Sequence, residues 1–404
     1  MIIQPDPPLH LTYCLNVHPG ESWQENLSAI RRYALAVRDR IAAHRSFGLG
    51  LRLSQKAAAT LQREENLAAF AELLGQEDLY VFTINGFPYG TFHGQPVKQA
   101  VYRPDWRTDR RRDYTLALAD ILARLLPAGM TGSISTVPVA YRDEMTTDAD
   151  VREAARRLAS AAAGLAGIRH RTGRDICLAL EPEPDCFIEC TDDALHLLPL
   201  LAEMGVQHLA DRHGLSLAEG EEIWRRHIGI CLDTAHAAVQ FEDPAQAVEK
   251  LRRAGIRIGK VQLSAALDVK PTPAALARLA AFAEPVYLHQ VKARRPDDRV
   301  DSFPDLPAAL DAARGLPRRW DRWRVHFHVP LFFAGGDELT STAAELTGPF
   351  AEALRRGPTE HLEIETYTFT VLPPDLQTPD LVEGIAREYE WVLRELFPRT
   401  PEPT

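Results

Sequence analysis

The chain has 404 residues, 45% apolar and 25% charged, enough for a sizeable core in one large domain or two ordinary ones. Its formal net charge of −10 argues against a nucleic-acid partner, whose phosphates call for many Lys and Arg contacts. "MIIQPDPPLH" has no basic, then apolar, leader pattern, and no apolar run reaches the length of roughly 18 residues that a membrane span needs, so a cytoplasmic protein without membrane insertion is expected.

Short apolar runs alternate with longer amphipathic ones. The strand-like runs are "HLTYCLN" from His10, "FGLGLRLS" from Phe47, "LYVFTING" from Leu79 and "GSISTVPV" from Gly132. They continue with "DICLALEPEP" from Asp175, "IGICLDTAH" from Ile228, "IGKVQLSAAL" from Ile258, "VYLHQVKA" from Val286, "WRVHFHVPLF" from Trp323 and "HLEIETYTF" from His361. Between them, segments such as "ESWQENLSAIRRYALAVRDRIAA" and "YTLALADILARLLPAG" repeat apolar residues with helical spacing. "RTDRRRD", Arg107 to Asp113, reads as a solvated helix start. Alternating strands and helices predict parallel βαβ units, as an eightfold barrel or a doubly wound sheet. The missing GxGxxG after the first strand weakens a dinucleotide-binding reading. Ten strand candidates exceed a plain barrel. An insertion over about 271–333 is therefore expected, with "VYLHQVKA" and "VHFHVP" paired as a hairpin, and another near "VQHLADRHGLSLAEGEEIWRRH". Residues 1–376 are expected to form the barrel, and 377–404 a last helix and a frayed tail "PRTPEPT" of the same domain. The five cysteines read as small buried hydrophobes rather than disulfides, and Cys186 with Cys190 as a weak metal motif.

Polar residues collect where strands end, the reactive face of a parallel barrel. Side chains alternate along a strand, so Cys177, Ala179, Glu181 and Glu183 share a face. Cys231 and Asp233 share one as well, as do His326 and His328, and Glu363, Glu365 and Tyr367. Carboxylates with imidazoles suit Zn, Mn, Fe or Co. Buried at successive strand ends without partners, Glu181, Asp233, His236 and Glu365 would be costly, and a divalent metal would remove that cost.

"LALEP", "CLDTAHA" and "LEIETY" resemble the metal-binding strand ends of the xylose-isomerase-like TIM barrels, a superfamily of sugar isomerases, epimerases and apurinic-site endonucleases. The resemblance implies a (β/α)8 TIM barrel with ligands Glu181 after strand five, Asp233 and His236 after strand six, and Glu365 after strand eight. At the seventh strand, where the superfamily usually has His, "KVQLSA" offers Gln262; His326 or His328 of "HFH" would substitute. "HLTYCLNVHPGESW", "YVFTINGFPYGTFHG", "VYRPDWR", "GSISTVP", "WRVHFHVPLF" and "HLEIETYTFTVLP" further resemble the EboE metabolite-traffic proteins, over nearly the whole chain. That implies a cytosolic metal-dependent barrel acting on a small metabolite beside proteins of the same gene cluster; a homodimer would be unsurprising.

The expected chemistry is isomerisation or epimerisation of a hydroxylated or carbonyl metabolite. Glu181 and Glu365 would exchange the proton and the metal (Zn, Mn or Fe) would bind adjacent oxygens. Tyr13, Asn16, His18, Asn85, Tyr89, His93, Glu183 and His289 are the candidate substrate-facing residues, with "NGFPYGTFHG" as a lid. A metabolite carrier and a hydrolase of a small phosphoester are the rival readings.

Overall fold

The computed structural model describes residues 1–314, 319–336 and 338–398. A hairpin of β1 (Ile2–Pro5) and β2 (Pro8–Tyr13) opens the chain. Parallel strands follow: β3 (Phe47–Arg52), β4 (Leu79–Asn85), β5 (Gly132–Thr136), β6 (Ile176–Leu180), β7 (Ile228–Asp233) and β8 (Ile258–Leu263). A second sheet then intervenes, made of β9 (Ala265–Val269), β10 (Val291–Arg294), β11 (Val300–Phe303), β12 (Arg322–Val329) and β13 (Thr340–Ser341), before β14 (His361–Ile364) re-enters the first. β14 pairs in parallel with both β8 and β2, and a bridge between Cys14 and Gly50 brings β2 against β3. The result is an eight-stranded βα barrel, the first expectation for this chain, with β1 as an antiparallel addition.

Local sequence explains the helices. Ser22 with Glu25, Thr147 with Asp150 and Ser216 with Glu219 form capping boxes. Gly173, at φ 72°, closes the helix Asp148–Thr172, a left-handed position that favours glycine. The crossing from β6 to β7 carries two helices, Thr191–His213 and Leu217–His227, rather than one. Among the described residues no helix is long and apolar enough to cross a membrane.

Several sequence expectations need correction. The added sheet starts at Ala265 rather than near 271. "VYLHQVKA" is strand only from Val291; Val286–Gln290 is a loop. β10 does pair antiparallel with β12, but β11 lies between them in the chain and β9 flanks β12 on its other side, so the unit is a five-stranded sheet and not a hairpin. The "RTDRRRD" stretch is not wholly solvated. Arg111 is fully buried and donates to the carbonyls of Pro104, Gly86 and Phe87, bracing the loop after β4. All five cysteines are free, and Cys190 caps the helix Thr191–His213. Residues 399–404 of the expected tail lie outside the described residues.

The barrel interior is narrow and polar. Lys260 and Glu363 form an ion pair with neither side chain exposed. A Cβ on Gly50 would stand 2.0 Å from Glu363 Oε1, so only glycine leaves that carboxylate its place.

Candidate metal centre

Asp233 ends β7 because it also begins the next helix. Its Oδ1 accepts from the Ala235 and His236 amides, at 2.8 and 2.9 Å, and from Ser264 Oγ at 2.7 Å. These are the bonds of an N-cap. Its Oδ2 is buried with no hydrogen-bond partner. The same helical turn sets His236 beside it, with Nε2 3.9 Å from Asp233 Oδ1.

Three histidines meet here. The His236 and His326 ring centroids are 4.5 Å apart, and His328 lies 5.5 and 5.4 Å from the two. Each Nδ1 is taken by an oxygen: Pro182 O at 2.9 Å for His236, Gln290 Oε1 at 2.7 Å for His326 and Glu365 O at 2.8 Å for His328. Gln290 is itself oriented by donating to Tyr102 Oη and Pro184 O. Oxygen acceptors assign the proton to Nδ1 and leave the Nε2 lone pair for a ligand, the outer-shell arrangement of metal-binding imidazoles.

The carboxylates come from separate strands. Glu181 follows β6, its Oε1 4.0 Å from His236 Nδ1. Glu365 follows β14, and Asn16 and Asn85 both donate to its Oε1, at 2.7 and 3.0 Å. Three overlapping donor sets lie within 4.8 Å: His236, His326 and His328; Glu181, Asp233 and His236; Asp233, His328 and Glu365. Glu181 Oε2, Asp233 Oδ2, His326 Nε2 and His328 Nε2 are all buried and unpartnered. Each such atom costs ~1–3 kcal/mol if left unmet. The donor set fits a divalent cation of the Zn, Mn or Fe kind. Gln262, fully buried, turns Oε1 to the Cys231 thiol at 2.8 Å, and the added sheet instead brings His326 and His328 to the cluster.

Burial dominates the electrostatics. It pushes the Glu181 and Glu365 carboxyls well above their ordinary range, with neighbouring carboxylates adding to it. It would raise Asp233 too, but His236 and His328 hold that group below its usual value. Burial depresses His236 to about 4, with Asp233 opposing it, and His326 further. Glu183 is raised to about 8 by burial, against the 2.8 Å hydrogen bond from Tyr102 Oη.

A cavity of about 60 Å³ opens above the cluster. Of the candidate substrate-facing residues, Asn16, Asn85 and Glu183 line it, together with Glu181, His236, His326 and Glu365. The others stand elsewhere. Tyr13 points outward from β2, bonding His18 Nε2 at 2.8 Å and packing on Tyr389, and His18 stacks on Tyr33. Tyr89 packs on Tyr114 with Arg110 over its ring. His289 stacks on Phe327. His93 sits behind the wall, bonded to Asn16 O and Tyr287 Oη. The loop "NGFPYGTFHG", read as a lid, supplies Phe87 and Phe92 to an aromatic wall, and sequence reasoning missed the rest of that wall, Tyr102, Tyr287 and Tyr367. Tyr367 had a signal, its shared parity with Glu365; Tyr287, in an irregular loop, had none.

No family model matches the chain, and no curated protein matches it in sequence, so the EboE resemblance rests on the quoted motifs. Solved structures do match. A xylose isomerase-like TIM barrel protein from Mycobacterium smegmatis, in complex with magnesium, is 12% identical with a TM-score of 0.51, over 96% of both chains. AsbF from Bacillus anthracis, a probable 3-DHS dehydratase, is 13% identical with a TM-score of 0.49, over 96% of this chain and 99% of that one. IolI protein with a bound zinc atom is 11% identical with a TM-score of 0.48, over 98% and 100%. At such identities the likeness concerns the fold alone, a TIM barrel.

Proposed function

We propose that this protein is a divalent-metal-dependent isomerase or epimerase of a small hydroxylated or carbonyl metabolite. The observation that carries the reading is the convergence of four buried, unpartnered donor atoms from Glu181, Asp233, His326 and His328 on one end of the barrel. Glu181, Asp233, His236, His326, His328 and Glu365 would hold the ion. When bound, it supplies Lewis acidity at adjacent substrate oxygens.

The chain's own residues do the rest. Glu181 and Glu365 reach the cavity from β6 and β14, two strands that β7 and β8 separate, so they approach a bound molecule from different sides. One removes a proton from carbon and the other returns it. Asn16 and Asn85 fix Glu365 through Oε1. Tyr102 fixes Glu183, which binds a substrate hydroxyl. The reading includes a cytosolic setting, a role in metabolite traffic, and partner proteins from the EboE gene cluster; the motif resemblance alone supports these.

Metal content by inductively coupled plasma mass spectrometry tests it, beside an Asp233→Ala, His236→Ala variant. One Zn, Mn or Fe per chain, lost in the variant, is expected, followed by wash-in of solvent deuterium to the substrate carbon. A wild type without metal after reconstitution would sink the reading. Two or three ions per chain would favour hydrolysis instead.

A further inference from the structure

We propose that the cavity takes an uncharged polyol or hydroxy-ketone ring carrying an apolar or aromatic substituent, and not a phosphate ester. The assignment deepens the metal-centre reading and rests on it for the polar half of the ligand.

The charge around the cavity excludes the phosphate. Glu181, Glu183 and Glu365 face it, and the one basic side chain among its lining residues is Lys98. The Lys98 Nζ already lies 2.7 Å from Asp305 Oδ2. Arg52, behind Phe92, is engaged by Glu21 and by the carbonyls of Gly20 and Gly90. The helix that starts at the site, Thr234–Val239, has its first free amides taken by Asp233. A phosphate monoester brings about −1.5 to −2 charges, and proteins meet them with Arg, Lys or open helix N-termini. None of these is on offer here, and a dication's charge would be met by its own carboxylate ligands.

The wall asks for an apolar body. Phe92, Tyr287 and Tyr367 pack on one another with centroids 4.9 to 5.4 Å apart, and Val97 joins them. All four are below one-tenth exposed although they line the cavity. His93 locks this wall to the floor. One ring nitrogen lies 2.6 Å from Asn16 O and the other 2.8 Å from Tyr287 Oη. Asn16 in turn holds Glu365. The aromatic wall and the carboxylate floor are thus one preformed unit, and a ligand matching both pays little reorganisation.

The test uses zinc-loaded protein whose metal content is measured first. Isothermal titration is run with D-glucose, D-glucose 6-phosphate and phenyl β-D-glucopyranoside. The phenyl glucoside is expected to bind at least about tenfold tighter than glucose, and the 6-phosphate no tighter than glucose. Phe92→Ala should remove most of the phenyl advantage while zinc content stays at the wild-type level. A 6-phosphate that binds tighter than glucose overturns the assignment. So does a phenyl group that adds nothing, or zinc-loaded protein that binds none of the three. If no Zn, Mn or Fe is held after reconstitution, the metal reading fails by itself; a phenyl preference in that protein still supports the aromatic wall, and its absence overturns the wall too.

Discussion

Lys260 and Glu363 meet inside the barrel with neither exposed to solvent. Burial alone would lower the Lys260 pKa, but Glu363 raises it above the ordinary lysine value, so Lys260 stays charged. Removing one partner strands the other, at a cost of about 3–5 kcal/mol. Lys260→Met should therefore unfold at markedly lower urea, and Lys260→Met with Glu363→Leu should recover much of the loss. Gly50→Ala would press a methyl on Glu363 and should cost ~1–3 kcal/mol by the same measurement. Glu388 gives a pH prediction. Its buried carboxyl accepts from Thr366 Oγ1 and Leu331 N, and burial raises it from 4.5 to about 8. A carboxyl raised in the fold favours the protonated state. Its contribution is complete below pH 4.5 and is lost as pH climbs through about 8. Glu388→Gln should match the parent in melting temperature at pH 4.5 and exceed it at pH 8.5.

At the scale of elements, β12 matters most for the site. It carries His326 and His328 on the face that "VHFHVP" suggested, because alternation is a property of any strand. What alternation does not tell is where a strand goes. β12 reaches the barrel mouth only through its pairing with β9, which follows β8 after a single residue. The strand ends bearing Glu181, Asp233 and Glu365 were legible for the opposite reason: in a parallel barrel, order along the chain is order around the mouth. Tyr13 shows the limit within one strand. Its neighbour Thr12 occupies the inward position against Gly50, so Tyr13 faces the helices, a parity that "HLTYCLN" does not declare. Arg111 shows another limit, since a basic run looks solvated until a loop's carbonyls need a donor. Trp323 tests the element. It is fully buried beside Trp320 and Phe303. Trp323→Ala should cost ~3–5 kcal/mol and weaken zinc binding by isothermal titration, although Trp323 has the opposite parity to His326 and His328 along β12.

Across the whole molecule, a bound ion should stabilise the fold by mass action. At a free zinc concentration 100 times the dissociation constant the gain is about 2.7 kcal/mol, and the melting temperature should rise. The Asp233→Ala, His236→Ala variant should show no such rise, and should start lower because it also loses a helix cap worth ~1 kcal/mol. The ion pair of Lys260 and Glu363 has a last consequence. It fills the barrel interior with buried charge, while the cavity lies on the side that carries the aromatic wall. Under the isomerase or epimerase reading we propose, substrate and product would share this one cavity, and product inhibition is expected to be competitive in steady-state kinetics.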